Sequence, residues 1–164
     1  MRVDDIIRIL NLEKHPREGG YYAETYRSRQ NIMNEKGRRD NRSLATAIYY
    51  LLTPDFYSEM HRLESDEIFH FYLGDPVEML QLFPRGGGKI IKIGNDVTQG
   101  FLPQVLIPKN VWQGCRVIHG GRFALLGTTM SPGFDYSEYE SGIKKELIKK
   151  YPEFEDIITD LTRL

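Results

Sequence analysis

The 164-residue sequence fits a single domain, because 40% apolar and 12% aromatic residues suffice to close one hydrophobic core. Its 22 basic residues balance 23 acidic ones to a net charge of -1, so no overall positive field favours nucleic acid or an anionic membrane as a partner. Cys115 is the only cysteine, which excludes an internal disulfide framework and, with an N-terminus too charged for an export signal, predicts a cytoplasmic protein.

The first predicted elements are a short helix and a strand. Four apolar residues share one helical face before Pro16: Val3, Ile6, Ile7 and Leu10. The run GYYAETYRS (20–28) is rich in tyrosine and threonine and predicts a strand. The polar stretch RQNIMNEKGRRDNRS (29–43) has neither a helical nor a strand period, and it therefore predicts a surface loop.

Short β-rich runs follow, separated by proline, glycine and asparagine. They are SLATAIYYLLT, SEMHRLESDEIFHFYLG, VEMLQLF, KIIKIG, QVLIP, WQGCRVI and RFALLGTTM. The glycines of PRGGG (84–88) predict a tight hairpin between VEMLQLF and KIIKIG. This rhythm predicts an all-β core of about eight strands, closed as a barrel or a double-sheet jelly roll to avoid open edges. The C-terminal spacing predicts two amphipathic helices, interrupted at Tyr151-Pro152, that pack outside the sheets.

The segment SEMHRLESDEIFHFYLG (58–74) carries the candidate site. In an extended chain His61, Leu63 and Glu67 share one face, whereas His70 lies on the other. A turn at 64–66 would fold the two halves into a hairpin that brings the His61 imidazole near the Glu67 carboxylate, although a bulge would shift this alternation. The pair is interpreted either as part of a functional cavity or as a satisfied polar pair at the rim of a packed barrel.

Part of this segment resembles the first motif of the cupin superfamily, HxHxxxE followed by six residues and Gly. His61, Glu67 and Gly74 fall on that motif, and Leu63 stands where the second His would be. The stretch PKNVWQ (108–113) resembles the second motif, PxGxxH, with an asparagine and a glutamine in place of its glycine and histidine. Because asparagine tolerates the left-handed backbone conformation, the turn at Asn110 is expected to persist.

The wider pattern is similar to small single-domain cupins labelled cupin family five, a largely uncharacterised group. It consists, in order, of HPREGGYYAETYRS, TAIYYLLT, HRLESDEIFHFYLGDP, PKNVWQ and SPGFDY. The resemblance implies one cupin domain over residues 1–164, a double-stranded β-helix barrel with short terminal helices, usually in a homodimer. It brings no settled activity.

The resemblance also implies which residues to test for metal binding. Metal-containing cupins hold Mn, Fe, Ni or Zn with three histidines and one glutamate. In this sequence His61 and Glu67 are the strong ligands carried over, Leu63 cannot bind a metal, and Gln113 offers only a weak amide oxygen. The expected cofactor is therefore none, or a weakly bound divalent metal.

A metal-free function is also open to this pair. An imidazole oriented by a carboxylate is a general base near neutral pH, so His61 and Glu67 are the predicted catalytic residues. Metal-free sugar-nucleotide epimerases of the superfamily use a similar His with an acidic partner and a tyrosine, which here would be Tyr49, Tyr50 or Tyr72. The predicted function is binding of a small polar molecule, such as a sugar or sugar nucleotide, with isomerase-like or epimerase-like proton transfer. The alternatives are a non-catalytic binder or sensor, and a metal-dependent enzyme with a reduced ligand set.

Other side chains are weaker candidates. Ligand-binding candidates besides the pair are Gln113, Gln104, Tyr49 and His70, with a strand cap as the alternative for Gln104 and an outer-face position as the alternative for His70. Cys115 is expected to be inert filler on the face of Gln113, and Trp112 a packing anchor on the opposite face. Arg27 and Arg29 either clamp an anion or are solvated, whereas His15 and His119 receive no role.

Overall fold

Two antiparallel sheets facing each other form the barrel, which the computed structural model describes over residues 2–33 and 39–163. The strands are β1 (Glu13–Lys14), β2 (Tyr21–Arg27), β3 (Asn31–Met33), β4 (Arg39–Ser43), β5 (Thr46–Leu52), β6 (Ser58–Arg62), β7 (Glu67–Gly74), β8 (Val77–Leu82), β9 (Gly88–Ile93), β10 (Gln104–Ile107), β11 (Trp112–Val117), β12 (Ala124–Met130) and β13 (Glu140–Ser141). The helices are α1 (Val3–Ile9), α2 (Lys144–Lys150) and α3 (Glu155–Asp160), with single 3-10 turns at Val97–Gln99, Tyr136–Glu138 and Pro152–Phe154.

The strand order is that of a jelly roll. One sheet has the order β1-β2-β5-β12-β7-β10 and the other β13-β6-β11-β8-β9, while β3 and β4 pair with each other. The candidate segment crosses from one sheet to the other, because β6 pairs with β11 and β13 whereas β7 pairs with β12 and β10. The turn at 64–66 is therefore a connection between sheets, which corrects the predicted hairpin.

Three apolar clusters hold the layers together. The cluster between the sheets is built from inward side chains such as Tyr50, Phe69, Met79, Cys115 and Leu126. The C-terminal helices cover the outer face of one sheet, and α1 covers the outer face of the other. Each fully buried side chain of leucine size stabilises the fold by about 1.5–3 kcal/mol relative to an exposed one, so all three layers contribute to stability.

Most predicted elements are confirmed. The leading helix, the β8–β9 hairpin and the two C-terminal helices form where the sequence places them, and Gly86 and Gly87 adopt positive φ in the hairpin turn. The predicted loop over 29–43 is wrong in part, since β3 pairs with β4; residues 34–38 lie outside the described residues. A two-stranded ribbon is held by backbone hydrogen bonds and needs no alternating buried face, so it leaves no hydrophobic period.

One further result concerns the helices. Within the described residues, none is long and apolar enough to cross a membrane. The cytoplasmic location stays a prediction.

Candidate functional site

A cavity of about 500 Å³ opens into the barrel. Its most buried titratable lining groups are His15, Glu18 and Glu67, whose side chains are 14% exposed or less. Tyr22, Glu24, Arg27, Phe134, Asp135 and Tyr136 line it nearer the solvent, and Thr46, Ile48, Leu63, Thr128 and Met130 complete the wall. A volume of this size is within the range of small-molecule sites in proteins.

Glu67 begins β7 with its side chain turned into the barrel. Its Oε2 accepts a hydrogen bond of 2.5 Å from Nε2 of Gln113, which lies on β11 in the facing sheet. Burial, and next the negative charge of Glu18, raise the pKa of Glu67 to about 7, while His61 and the hydrogen bonds of Gln113 and Thr128 oppose the increase. Near neutral pH this carboxyl group is therefore populated in both protonation states.

Glu18 reaches the cavity from the turn between β1 and β2. The backbone at Gly19 has a φ of +90°, and a Cβ atom there would lie 2.2 Å from the carbonyl oxygen of Tyr57, so this turn requires glycine. Oε1 of Glu18 accepts a 2.8 Å hydrogen bond from the Ser58 hydroxyl. Burial opposes ionisation of Glu18, but the charges of His61 and His15 and the Ser58 hydrogen bond hold its pKa below the ordinary value.

His15 is fixed by the same turn. Its Nδ1 accepts a 2.8 Å hydrogen bond from the backbone N–H of Glu18, so Nε2 carries the proton in the neutral ring and lies 3.9 Å from Oε2 of Glu18. Burial lowers the pKa of His15, with Glu18 opposing. His15 thereby presents an N–H group to the carboxylate.

His61 is completely buried on β6. Its Nδ1 lies 2.7 Å from the carbonyl oxygen of Glu59 and must donate to it, since a carbonyl only accepts. Nε2 has no hydrogen-bond partner and lies 3.8 Å from Oε1 of Glu18, while the ring stacks on Tyr139 at 5.1 Å between centroids. A proton on Nε2 would therefore face the Glu18 carboxylate.

The two predicted catalytic residues both lie inside the barrel, but the structure arranges them differently from the expected pair. The carboxylate facing His61 belongs to Glu18, and Glu67 is hydrogen-bonded to Gln113 instead. This follows from the sheet crossing, because β6 and β7 do not pair with each other. Gln113 is a predicted site residue that the structure brings to Glu67.

The structure does not place Tyr49, His70 or Gln104 at the cavity, which corrects their assignment as ligand-binding residues. Tyr49 packs on the α1 side of the sheet against Tyr72. His70 contacts the Thr129 hydroxyl at 3.0 Å and Gln104 at 3.3 Å. Side chains alternate along each strand, so these positions face outward while their neighbours face inward.

Among the three candidate tyrosines, Tyr50 points into the barrel. Its hydroxyl donates a 2.9 Å hydrogen bond to the carbonyl oxygen of Gly19 and so supports the turn that carries Glu18. Cys115 is buried and burial raises its pKa, as expected for inert filler, and Trp112 packs with the C-terminal helices. Asn110 adopts a φ of 64°, which confirms the expected left-handed turn.

Sequence reasoning missed His15 and Glu18. Both lie in the stretch HPREGG (15–20), which has no helical or strand period, and neither is near the candidate segment in sequence. The only signal was the glycine pair, which permits the sharp turn, within a stretch that belongs to the cupin-like pattern.

The donor set does not fit the metal site of metal-containing cupins. Leu63 is apolar where a second histidine would stand, and the Gln113 amide nitrogen is a donor to Glu67. Across residues 2–33 and 39–163, no three His, Cys, Asp or Glu side chains are grouped to hold a metal ion.

Two facing sheets around a cavity, with part of the cupin metal-binding motif, define a cupin barrel. The sequence model of Cupin_5, described as Cupin superfamily (DUF985), matches residues 4–142, and the chain belongs to this family. It is 30% identical over 148 residues to the Uncharacterized protein YML079W of Saccharomyces cerevisiae, covering 84% of this chain and 73% of that protein.

Solved structures of similar proteins share the whole fold. Protein SO0799 from Shewanella oneidensis is 32% identical with a TM-score of 0.89, and the match covers 99% of this chain and 98% of that one. A hypothetical protein from Leishmania major is also 32% identical, with a TM-score of 0.88 and 99% coverage of both chains. Neither of these names states an activity.

Proposed function

We propose that the protein binds a small polar molecule in the barrel cavity and moves a proton to or from it, as isomerases and epimerases do. One observation carries the proposal: Glu67 and Glu18 line one cavity, and their pKa values are shifted in opposite directions. Carboxyl groups separated in this way can hold different protonation states at one pH, as acid–base pairs require.

Glu67 is the group that exchanges the proton in this scheme. A general acid or base is most effective when its pKa lies near the working pH, and the pKa of Glu67 is about 7. Gln113 fixes the carboxyl group by donating to Oε2. Glu18 stays ionised, and its negative charge is one of the two causes that raise the pKa of Glu67 into this range.

His61 acts through Glu18 in this scheme and is a positioning residue. Its buried ring lies behind the lining carboxylate, with Nε2 directed at Glu18. A proton held at Nε2 keeps Glu18 ionised without contact between His61 and the ligand.

A monosaccharide-sized ligand suits the cavity. Its volume is about 500 Å³, and the wall combines aromatic rings with the hydroxyl groups of Thr46 and Thr128. Aromatic faces pack against the C–H face of a sugar, and hydroxyl groups exchange hydrogen bonds with its polar edge. Sugars are therefore the first compounds to screen, with the sugar nucleotides named in the sequence analysis beside them.

A non-catalytic binder or sensor is the second candidate. It is favoured by the burial of His61, because this predicted base lies behind Glu18 and does not contact a ligand in the cavity. The cavity would then serve recognition alone.

Deuterium exchange separates the two candidates. Sugars and sugar nucleotides would be incubated with the protein in heavy water, and exchange at carbon would be followed by NMR. Proton transfer predicts exchange with wild type and with the Glu64→Gln control, which neutralises an exposed carboxylate outside this cavity, and loss with Glu67→Gln. Binding without exchange for every bound compound would leave the binder, and no binding at all would refute both.

The homodimer remains a proposal. Tyr72 and Leu106 are 50% and 52% exposed, and their strands are neighbours in one sheet, so they offer apolar area to a second copy. Light scattering should give the mass of two chains, and the mass of one chain would contradict this assembly.

A further inference from the structure

We infer that the cavity takes a small organic cation, a hydroxylated molecule that carries a protonated amine, in preference to an anionic sugar nucleotide. This inference rests on the proposed function, since it names the substrate class of the same cavity. An amino sugar is the simplest compound that combines both features.

The charge of the lining is the first argument. Four carboxyl groups line the cavity, and the fully ionised base among the lining residues is Arg27. The guanidinium group of Arg27 is already committed: it donates to Glu24 at 2.7 and 2.9 Å and to the carbonyl oxygen of Phe134 at 3.3 Å. Of the other three carboxyl groups, Asp135 accepts from Ser137 and is influenced by the charges of Arg27 and Arg42. Glu18 and Glu67 have only histidines as basic neighbours, so a phosphate group would enter among carboxylates.

The hydrogen bonds inside the barrel are the second argument. Nε2 of His61 and the side-chain oxygens of Gln113 and Gln81 are buried without a partner. These residues are in register on β6, β11 and β8, so they form one row across the inner face. The orientation of each is set by its other polar atom, which donates to Glu59, Glu67 and Leu106 respectively.

The side-chain oxygens of Gln113 and Gln81 are therefore acceptors, whereas Nε2 of His61 faces the Glu18 carboxylate. A cavity that is lined by carboxyl groups, with unpartnered acceptors behind its wall, favours a ligand that brings donors. A protonated amine brings three donors and no acceptor, whereas a phosphate brings acceptors only.

The aromatic wall is the third argument. Tyr22, Phe134 and Tyr136 line the cavity, and the rings of Phe134 and Tyr136 are 4.9 Å apart in an edge-to-face arrangement. The negative face of such rings attracts cations. The guanidinium carbon of Arg17, which is not a lining residue, already lies 5.2 Å from the centre of Tyr136.

Two matched sets of compounds test the inference with the full chain at pH 7. The first holds glucosamine, glucose, N-acetylglucosamine and glucose 6-phosphate, and the second holds ethanolamine, ethylene glycol and glycolate. Each set contains a cation, a neutral compound and an anion of one skeleton. Calorimetric titration and the thermal midpoint would be measured for each compound.

We expect at least one cation to bind about tenfold or more tightly than its neutral partner, as one well-placed ion pair allows. Glu18→Gln should remove this preference, and Glu64→Gln should keep it. Because Glu18 also supports its turn, Asp135→Asn is the second variant: its side chain keeps an oxygen for the Ser137 N–H, and it should reduce the cation preference by up to about fivefold.

The outcomes separate the inference from the proposed function. Neutral or anionic members binding at least as tightly as the cations would overturn the cation inference, while the cavity would remain a binding site. A cation preference that survives both carboxylate variants would also overturn it. If no member of either set binds, the cation inference and the proposed sugar-sized ligand both fail.

Discussion

Oε1 of Glu18 lies 3.8 Å from Nε2 of His61, so a turn near the N-terminus supplies the carboxylate that faces the buried imidazole. The Ser58 hydroxyl donates to the same oxygen, which joins the turn to β6. The cupin-like motif and the HPREGG stretch are therefore parts of one site.

Replacing His61 by glutamine should raise the pKa of Glu18. The variant keeps a buried polar side chain of similar size but removes the positive charge that stabilises the ionised carboxylate. Carbon NMR of labelled glutamate side chains, followed from pH 2 to 8, measures this pKa directly. The same substitution at exposed His119 is the control, and an unchanged Glu18 titration in His61→Gln would contradict the arrangement.

Glu67 should make the protein less stable as the pH rises from about 5 to 8. Its folded pKa of about 7 lies above the ordinary value of 4.5, so the folded state holds a proton that the unfolded chain has already released in this range. The stability gained from this bound proton is fully present below pH 4.5, and it is lost as the pH rises through 7. Denaturant unfolding at several pH values should show a fall of roughly 3 kcal/mol that Glu67→Gln removes.

The matched control for this experiment is Glu64→Gln, because Glu64 is exposed. It should keep the wild-type slope of stability against pH. Glutamine at position 67 can still accept from Gln113 through its oxygen, so the folded geometry is retained. An equal slope in wild type and Glu67→Gln would show that this carboxyl group titrates normally.

Side-chain alternation accounts for what the sequence could predict. It placed Glu67 inside, His70 outside, and Gln113 and Trp112 on opposite faces, because strand geometry is local. The alternation shifts after Phe71, where the β7–β12 register has a bulge and Leu73 turns to the outer cluster. A bulge inserts one residue without a sequence period, so its position was not predictable.

Sheet membership and the partner of His61 could not be predicted from local pattern. The alternation of side chains along 58–74 is compatible with a hairpin at 64–66 and also with a crossing between the two sheets. The pairing of β6 with β11 shows that the segment crosses. Glu18 meets His61 through tertiary packing of a turn that has no period. Side-chain alternation likewise could not predict whether Tyr49 or Tyr50 points into the barrel, because both faces of the sheet are covered by an apolar layer.

Tyr50→Phe should weaken ligand binding as well as stability. The lost hydroxyl leaves the Gly19 carbonyl buried without its 2.9 Å hydrogen bond, which costs about 1–3 kcal/mol and loosens the turn that carries Glu18. Tyr151→Phe is a matched control, because that hydroxyl donates to the Phe83 carbonyl at 2.8 Å in the C-terminal layer. Both variants should lose similar stability by denaturant unfolding, and only Tyr50→Phe should lose affinity for a cavity ligand. Equal affinities in the two variants would contradict the role of this turn.

Restoring histidines at the two altered motif positions should create a metal site. Leu63 lines the cavity, and the Gln113 amide touches Glu67, so Leu63→His with Gln113→His would add two imidazoles beside the existing His61 and Glu67. Added Mn²⁺ or Zn²⁺ should stabilise this double variant by about 2.7 kcal/mol at a concentration one hundred times the dissociation constant, and EDTA should reverse the effect. Wild type should show no change in thermal midpoint or ligand affinity with EDTA. A Leu106→His variant, which adds an imidazole on the outer face, controls for loose surface binding. Loss of ligand affinity in EDTA-treated wild type would show that the native side chains already hold a functional metal. This result would contradict the mismatch between these side chains and the metal site of metal-containing cupins.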